Sequence, residues 1–460
     1  MWEKTFDAEN IESQTDDILD LLFFTEKKDY ILIFLIVLSS AGILIFSIKF
    51  RVFHLWVEFL RSNLFLKIAS YPLLISGIII IGGIIFRTIL WFKYKPMTIK
   101  EGEKIEWPFI SVIMPALNEE ELIEKAIDSI FSSLYPQDKL EVICINDGST
   151  DLTLFKMMRA KKKYGDKLKI ISFRENLGKR RALYAGLKKS RGEIIVTVDT
   201  DSKIGRNALK NIVIPLIKEK NTGAVAGRVS VLNEKENFLT KMLSIRYSIS
   251  FNFGRAYQSV YGSVFCCPGA LTAYRKSVLV KFIHQWVHQT FWNVPCTYGE
   301  DRALTTQILK AGYMTRFQSN AIVYTKVPTN FSEMSKMYLR WTRSYIRESI
   351  IFAAFMFTKY RKKNRLLPIA DFFFLNFLHP FHIFAFGIMI YSFFVDPLLI
   401  IRHLALIVVV SFFLSLYYLR TNKSLNFIYG IPYAIITAFF LWWLVPYAAL
   451  TLKNQSWLTR

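Results

Sequence analysis

The sequence predicts an α/β domain with a parallel-type sheet, embedded between transmembrane helices. Hydrophobic residues make up 52% of the 460, and the mean hydropathy is positive, too apolar for a soluble chain of this length. Uncharged runs of membrane-crossing length lie toward both ends. The stretch between them alternates short apolar runs with helix-like segments, the pattern of strands joined by crossover helices.

In chain order, residues 1–29 form an acidic tail (Glu3, Asp7, Glu9, Glu12, Asp16, Asp17, Asp20) without the basic start or cleavage site of a signal peptide, so it is expected in the cytoplasm. Residues 30–93 hold two expected spans. Positions 30–48 are uncharged, and 68–86 repeat the pattern before Arg87, each long enough for about 30 Å of hydrocarbon. Residues 94–335 form the expected cytoplasmic α/β domain, with strands at Phe109–Met114, Val142–Ile145 and Ile194–Val198. In 336–366, Met337, Arg340, Trp341, Ser344, Tyr345 and Glu348 recur at helical spacing, which predicts an amphipathic helix at the membrane surface. Residues 367–452 return to apolar runs at 372–395, 398–419 and 425–452, the last interrupted by Pro432 and Pro446 and so expected to be re-entrant or interfacial. Residues 453–460 close the chain.

Lys and Arg number 59 against 36 acidic residues, a formal charge of +23. In an apolar chain this excess fits loops retained on the cytoplasmic side, not nucleic acid. Lys359, Arg361, Lys362, Lys363 and Arg365 precede the last apolar block, whereas the turn at Asp396 and Pro397 has only Arg402 nearby. The 49–67 loop breaks the rule with Lys49, Arg51, Arg61 and Lys67 on the expected outer side. Cys144, Cys266, Cys267 and Cys296 lack zinc-site spacing and read as thiols in a reducing compartment.

The chemistry-bearing residues cluster after the expected strands. Pro115-Ala116-Leu117-Asn118-Glu119-Glu120 and Asn146-Asp147-Gly148-Ser149-Thr150-Asp151 each end a strand with a turn. In a parallel sheet such turns emerge at the carboxyl ends, where α/β proteins bind nucleotides. Asp199-Thr200-Asp201 places two carboxylates where they can share a divalent cation with a diphosphate, since Mg²⁺ and Mn²⁺ prefer oxygen ligands. Lys179, Arg180 and Arg181 after Asn176-Leu177-Gly178 are candidate phosphate contacts, or a solvated helix face. Gly299-Glu300-Asp301-Arg302 supplies a second acidic pair for proton transfer, or a charge placed at a helix N-terminus.

The ordered set of PALNEE, INDGSTD, VDTDS, GED, LRWTRSYIRES and the closing Trp457-Leu458-Thr459-Arg460 resembles the processive family 2 glycosyltransferases, which include hyaluronan, chitin, cellulose and poly-N-acetylglucosamine synthases. The stretch from Ala256 through Cys266-Cys267-Pro268-Gly269-Ala270-Leu271-Thr272 to Gly299-Glu300-Asp301-Arg302 is most similar to hyaluronan and chitooligosaccharide synthases. The resemblance implies a GT-A-like nucleotide-binding fold and a processive, inverting polysaccharide synthase in the plasma membrane. It further implies a UDP-sugar donor such as UDP-N-acetylglucosamine, a growing polysaccharide acceptor, Mn²⁺ or Mg²⁺ as cofactor, membrane lipid as surroundings and no nucleic-acid partner. Residue by residue, it implies that Ala116, Asn118, Glu119, Asp147, Lys179, Asp199, Arg340, Trp457, Thr459 and Arg460 contact the nucleotide-sugar. Asp201 would hold the metal, Asp301 would be the general base, and Cys266 and Trp341 would face the acceptor. Three positions depart from the family pattern: Met337 stands where glutamine is expected, Ala270 where proline is frequent and Leu458 where glycine is usual. A non-processive enzyme that moves one sugar to a polyprenyl-phosphate carrier is the alternative, and a nucleotide-sugar sensor a more distant one.

Overall fold

A computed structural model of the chain describes residues 27–62, 64–358, 365–377, 379–397 and 399–454. The chain divides into two compact units, one of Met1–Ile89, Glu234–Phe253 and Ala370–Trp443, the other of Leu90–Asn233, Gly254–Ile369 and Leu444–Arg460.

The second unit is built on an eight-stranded sheet. Its strands are β1 Ile110–Ala116, β2 Leu140–Asp147, β3 Leu168–Phe173, β4 Ile194–Thr197, β5 Ser202–Ile204, β6 Thr222–Val231, β7 Thr272–Arg275 and β10 Met314–Thr325, in the order β3-β2-β1-β4-β7-β6-β10-β5; β8 Thr290–Phe291 and β9 Val294–Pro295 make a separate hairpin. β1, β2 and β4 are buried at every residue, which is why they read as unbroken apolar runs instead of alternating ones. β1 pairs in parallel with β2 and β4, and β2 with β3. Helices Ile123–Phe131, Thr153–Tyr164 and Lys179–Lys189 supply the crossovers between them.

The sheet is mixed, a refinement of the parallel pattern expected from sequence. β7 runs antiparallel to both β4 and β6, and β5 antiparallel to β10. Four-residue β7 gives too short a signal to reveal its direction. The consequence is functional: the turns after β1, β2 and β4 share one edge of the sheet.

Among the described residues, Leu74–Lys93 and Leu399–Asn422 are each long and apolar enough to cross a membrane, and the total rises to four if two bent helix pairs each count as a span. Helix Lys27–Lys49 is followed by Val52–Arg61, whose direction differs by 64° from that of Phe34–Lys49. The basic 49–67 stretch therefore contains a helix of its own. Within the 372–395 run the described residues lie in helices Leu366–Phe377 and His379–Val395. Helices Gly430–Phe440 and Leu444–Leu450 are separate across the 425–452 run. Two polar pairs lie within the first unit: Arg87 Nε donates to Asp371 at 2.8 Å, and the Thr88 and Tyr417 hydroxyls lie 2.5 Å apart. Unpaired, such groups would cost several kcal/mol each in hydrocarbon.

Candidate active site

The turns after β1 and β2 are tied together by their own polar atoms. Asn118 adopts the left-handed conformation at φ 54°. Its amide donates to Ser149 Oγ at 3.0 Å, and its Oδ1 accepts from the Thr150 amide at 2.9 Å. The Glu119 amide donates to Thr153 Oγ1 at 2.7 Å, and Glu120 Oε2 accepts from the Leu152 amide at 2.9 Å. Ala116 is buried where β1 ends.

Asp147 is buried at the end of β2 and its Oδ1 accepts from the Leu177 amide at 2.8 Å. Burial raises its proton affinity, and the amides of Leu177 and Gly178 oppose that rise. Gly148 has φ +74°, and a Cβ there would lie 2.5 Å from the amide nitrogen of Asn176. Only glycine lets this turn lie against the 175–178 segment that opens helix Lys179–Lys189.

Lys179 begins that helix and joins two motifs that lie far apart in sequence. Its Nζ is 2.6 Å from Asp199 Oδ1 and 3.0 Å from Glu300 Oε1. Burial disfavours the ammonium, but Asp199 and Glu300 together outweigh it and hold Lys179 protonated. Glu300 is likewise kept ionised below the usual glutamate range: burial opposes the charge, while Lys179, the Glu300 amide and the charge of Arg340 overcome it. Its neighbour Asp301 moves the other way, raised by burial and by Glu300, with Lys179 opposing. Asp301 Oδ1 accepts from the Arg302 amide at 2.7 Å, and Cys266 Sγ lies 3.9 Å from Oδ2.

Asp201 sits at the start of β5, its Oδ1 accepting from Ser202 Oγ at 3.1 Å and from Thr325 Oγ1 of β10 at 3.4 Å. Among the described residues no three His, Cys, Asp or Glu side chains gather as a ready cation cage. The chemistry of an all-oxygen donor set still fits Mg²⁺ or Mn²⁺, which bind through one or two carboxylates and complete their shell with phosphates and water.

Helix Phe331–Phe355 packs its Ser344, Arg347 and Glu348 face inward. Gly299, at φ +72°, has no room for a Cβ because the Ser344 side chain occupies that space. Arg347 Nη2 donates to the Tyr298 carbonyl at 2.7 Å, and the indole of Trp286 donates to the Glu300 carbonyl at 3.1 Å. The helix thus clamps the turn that carries Asp301. On the same helix Met337 is buried, while Trp341 is 41% exposed with its ring 5.7 Å from Tyr338. Arg343 donates to Thr451 Oγ1 at 2.9 Å, and the Tyr298 hydroxyl to the Asn454 carbonyl at 3.0 Å. The chain therefore passes the acidic turn three residues before Trp457; Trp457, Thr459 and Arg460 themselves lie outside the described residues.

Arg180 does not join the phosphate-facing set. It is buried, and its Nη1 donates to the Trp286 carbonyl at 2.5 Å and to Gln289 Oε1 at 2.8 Å. Sequence reasoning also passed over the side chain of Glu300 as a site group, since its link to Lys179 spans more than a hundred residues and leaves no local signal.

All four cysteines are unpaired thiols.

The model of the family "Glycosyl transferase family 2" matches residues 111–282. An N-acetylglucosaminyltransferase of Rhizobium meliloti (strain 1021) is 34% identical over 245 residues, 53% of this chain and 57% of that protein. A hyaluronan synthase of Streptococcus pyogenes is 28% identical over 395 residues, 84% of this chain and 90% of the relative. Across five N-acetylglucosaminyltransferases it matches, the chain spans 54–61% of their length. Among solved structures, the mannosyltransferase PcManGT of Pyrobaculum calidifontis, in complex with GDP-Man and Mn²⁺, superposes with a TM-score of 0.56 at 20% identity, covering 81% of this chain and 99% of that one. That likeness carries the fold. Residues 111–282, which carry most of the sheet and its turns, are thus similar to the family 2 glycosyl transferases, and the fold is GT-A-like.

Proposed function

We propose that the protein is a multi-pass plasma-membrane polysaccharide synthase, with its α/β domain in the cytoplasm, that polymerises sugar from a UDP-sugar with inversion to a β linkage and passes the polymer through its own spans. The observation that carries this reading is the Asp199–Lys179–Glu300 bridge, which links the Asp199-Thr200-Asp201 turn to the turn that carries Asp301. A transferase needs that arrangement, because the leaving diphosphate and the attacking hydroxyl must be handled from two sides of one carbon.

In this reading Asp301 takes the proton from the acceptor hydroxyl as its oxygen bonds to the anomeric carbon. The bond from that carbon to the diphosphate breaks, and UDP departs as an anion. Asp301 suits the role because burial and Glu300 both strengthen it as a base. Lys179 and Arg340 bind the diphosphate and offset its growing charge. Asp201 would hold a divalent cation, which supplies further charge neutralisation at the diphosphate. Ala116, Asn118, Glu119, Asp147 and Asp199 form the nucleotide-sugar side, joined by Trp457, Thr459 and Arg460. Cys266, beside Asp301, and Trp341 form the acceptor side, the exposed indole stacking on sugar C–H faces.

The test is Asp301→Asn, which keeps size and hydrogen bonding but removes the base. Transfer should fall by about a hundredfold or more while UDP binding stays at the wild-type level. Lost UDP binding would place Asp301 on the donor side instead.

A further inference from the structure

Glu300 touches neither donor nor acceptor in the scheme above, yet its side chain is only 7% exposed. Its Oε1 lies 3.0 Å from Lys179 Nζ, and it is joined covalently to Asp301. Lys179 carries its ammonium on a flexible stem, so something must aim it. Asp199 supplies one anchor at 2.6 Å, Glu300 the other. The Glu300 backbone is fixed from two directions, by Trp286 Nε1 on its carbonyl at 3.1 Å and by the helix seated against Gly299.

We propose that Glu300 is a positioning residue whose carboxylate holds Lys179 on the donor side while its charge acts on Asp301 on the acceptor side, so that one buried anion joins the two halves of the reaction. This rests on the reading of Lys179 and Asp301 given above. The groups that bear on Asp301 are Glu300 and Arg302 from its own helix, Lys179 from helix Lys179–Lys189, and Cys266, Cys267 and Tyr274 from the segment leading into and through β7. Arg340 of helix Phe331–Phe355 bears on Glu300. Among these, Glu300 is the carboxylate whose removal leaves Lys179 and Arg302 acting on Asp301 without an opposing anion next to it. Removing it therefore weakens Asp301 as a base and moves the acid limb of turnover to lower pH.

The experiment measures donor KM and the pH dependence of kcat for the full-length protein, as wild type, Glu300→Asp and Glu300→Gln, with melting and UDP binding recorded for each. Glu300→Asp keeps the charge but draws it back by about 1.5 Å, one carbon–carbon bond. It should raise the donor KM roughly tenfold and leave the acid limb in place. Glu300→Gln should raise KM comparably and also shift the acid limb down by about half a unit or more. A KM change without the shift, a shift without the KM change, or wild-type values of both in a folded Glu300→Gln protein overturns the proposal. If Glu300→Gln does not fold, the KM of Glu300→Asp decides, and a wild-type value overturns it. Asp301→Asn run alongside separates the two claims: surviving transfer there refutes the site reading itself, whereas an inactive Asp301→Asn beside wild-type-like Glu300 variants refutes this inference alone.

Discussion

Asp301 and Glu300 are neighbours in sequence whose proton affinities shift in opposite directions: burial and the charge of Glu300 raise that of Asp301, whereas at Glu300 the contact with Lys179 overcomes burial. The base must be unprotonated to act, and burial and Glu300 raise its pKa. The acid limb of kcat against pH is therefore expected above the ordinary aspartate range, and a limb at or below that range would remove burial as its cause. Gly299 belongs to the same turn. Alanine there meets both a positive φ and the Ser344 side chain, so Gly299→Ala should cost about 1–3 kcal/mol and abolish transfer; a thermal melt and an activity assay check both. At this scale the sequence was legible where a motif is local: Asp147 ends β2, Asp199 and Asp201 lie between β4 and β5, and Asp301 stands in the first turn of helix Glu300–Lys310. It misplaced Arg180 among the candidate phosphate contacts and named Glu300 only as half of an acidic pair, because their partners, Trp286 and Lys179, are brought near only by folding.

Among the elements, the first half of the sheet is held on the side away from the site by one carboxylate. Glu141 of β2 accepts from Ser111 Oγ of β1 at 2.6 Å, from the Arg191 amide ahead of β4 at 2.6 Å, and from Lys169 Nζ of β3 at 2.8 Å. Burial opposes its charge, yet these donors bring its pKa from 4.5 down to about 2. A depressed carboxylate stabilises the fold above its unfolded pKa, and that stability is lost as pH falls through the folded value. Glu141→Gln should therefore lose about 1–3 kcal/mol at neutral pH, with the gap to wild type closing between about pH 4.5 and 2; a gap that persists in acid would assign the effect to packing. Helix Phe331–Phe355 presents two faces, a buried one against the Asp301 turn and an outer one bearing Trp341. Trp341→Ala should shorten or stop the polymer while UDP binding persists, and unchanged product length would exclude stacking. The helix was legible from its spacing. What it grips was not, because Ser344 and Arg347 look like surface residues until Gly299 and Tyr298 are placed beside them. β7 escaped for a related reason: four residues show no period, and only the paired strands β4 and β6 define its direction.

For the whole molecule, composition settled the class, since nineteen uncharged residues at 30–48 have few uses outside a membrane. Among the described residues, two helices meet the length and hydropathy of a span, and up to four do if the bent pairs are joined. Composition did not foretell the bend after Lys49, whereas the interruption expected in 425–452 lies between Phe440 and Leu444, away from Pro432 and Pro446. The proposed divalent cation belongs to this scale, because it would tie the donor to Asp201. Exhaustive chelation should stop turnover, and Mn²⁺ or Mg²⁺ should restore it; turnover that survives chelation would take Asp201 out of a metal site. The claim that most depends on both units working together is synthesis of a long chain by this one protein. The purified protein, given single UDP-sugars and the pair UDP-N-acetylglucosamine and UDP-glucuronic acid with Mn²⁺, should yield a product that sizes as extended polysaccharide. A single sugar on a lipid carrier, or no transfer from any donor, would contradict it.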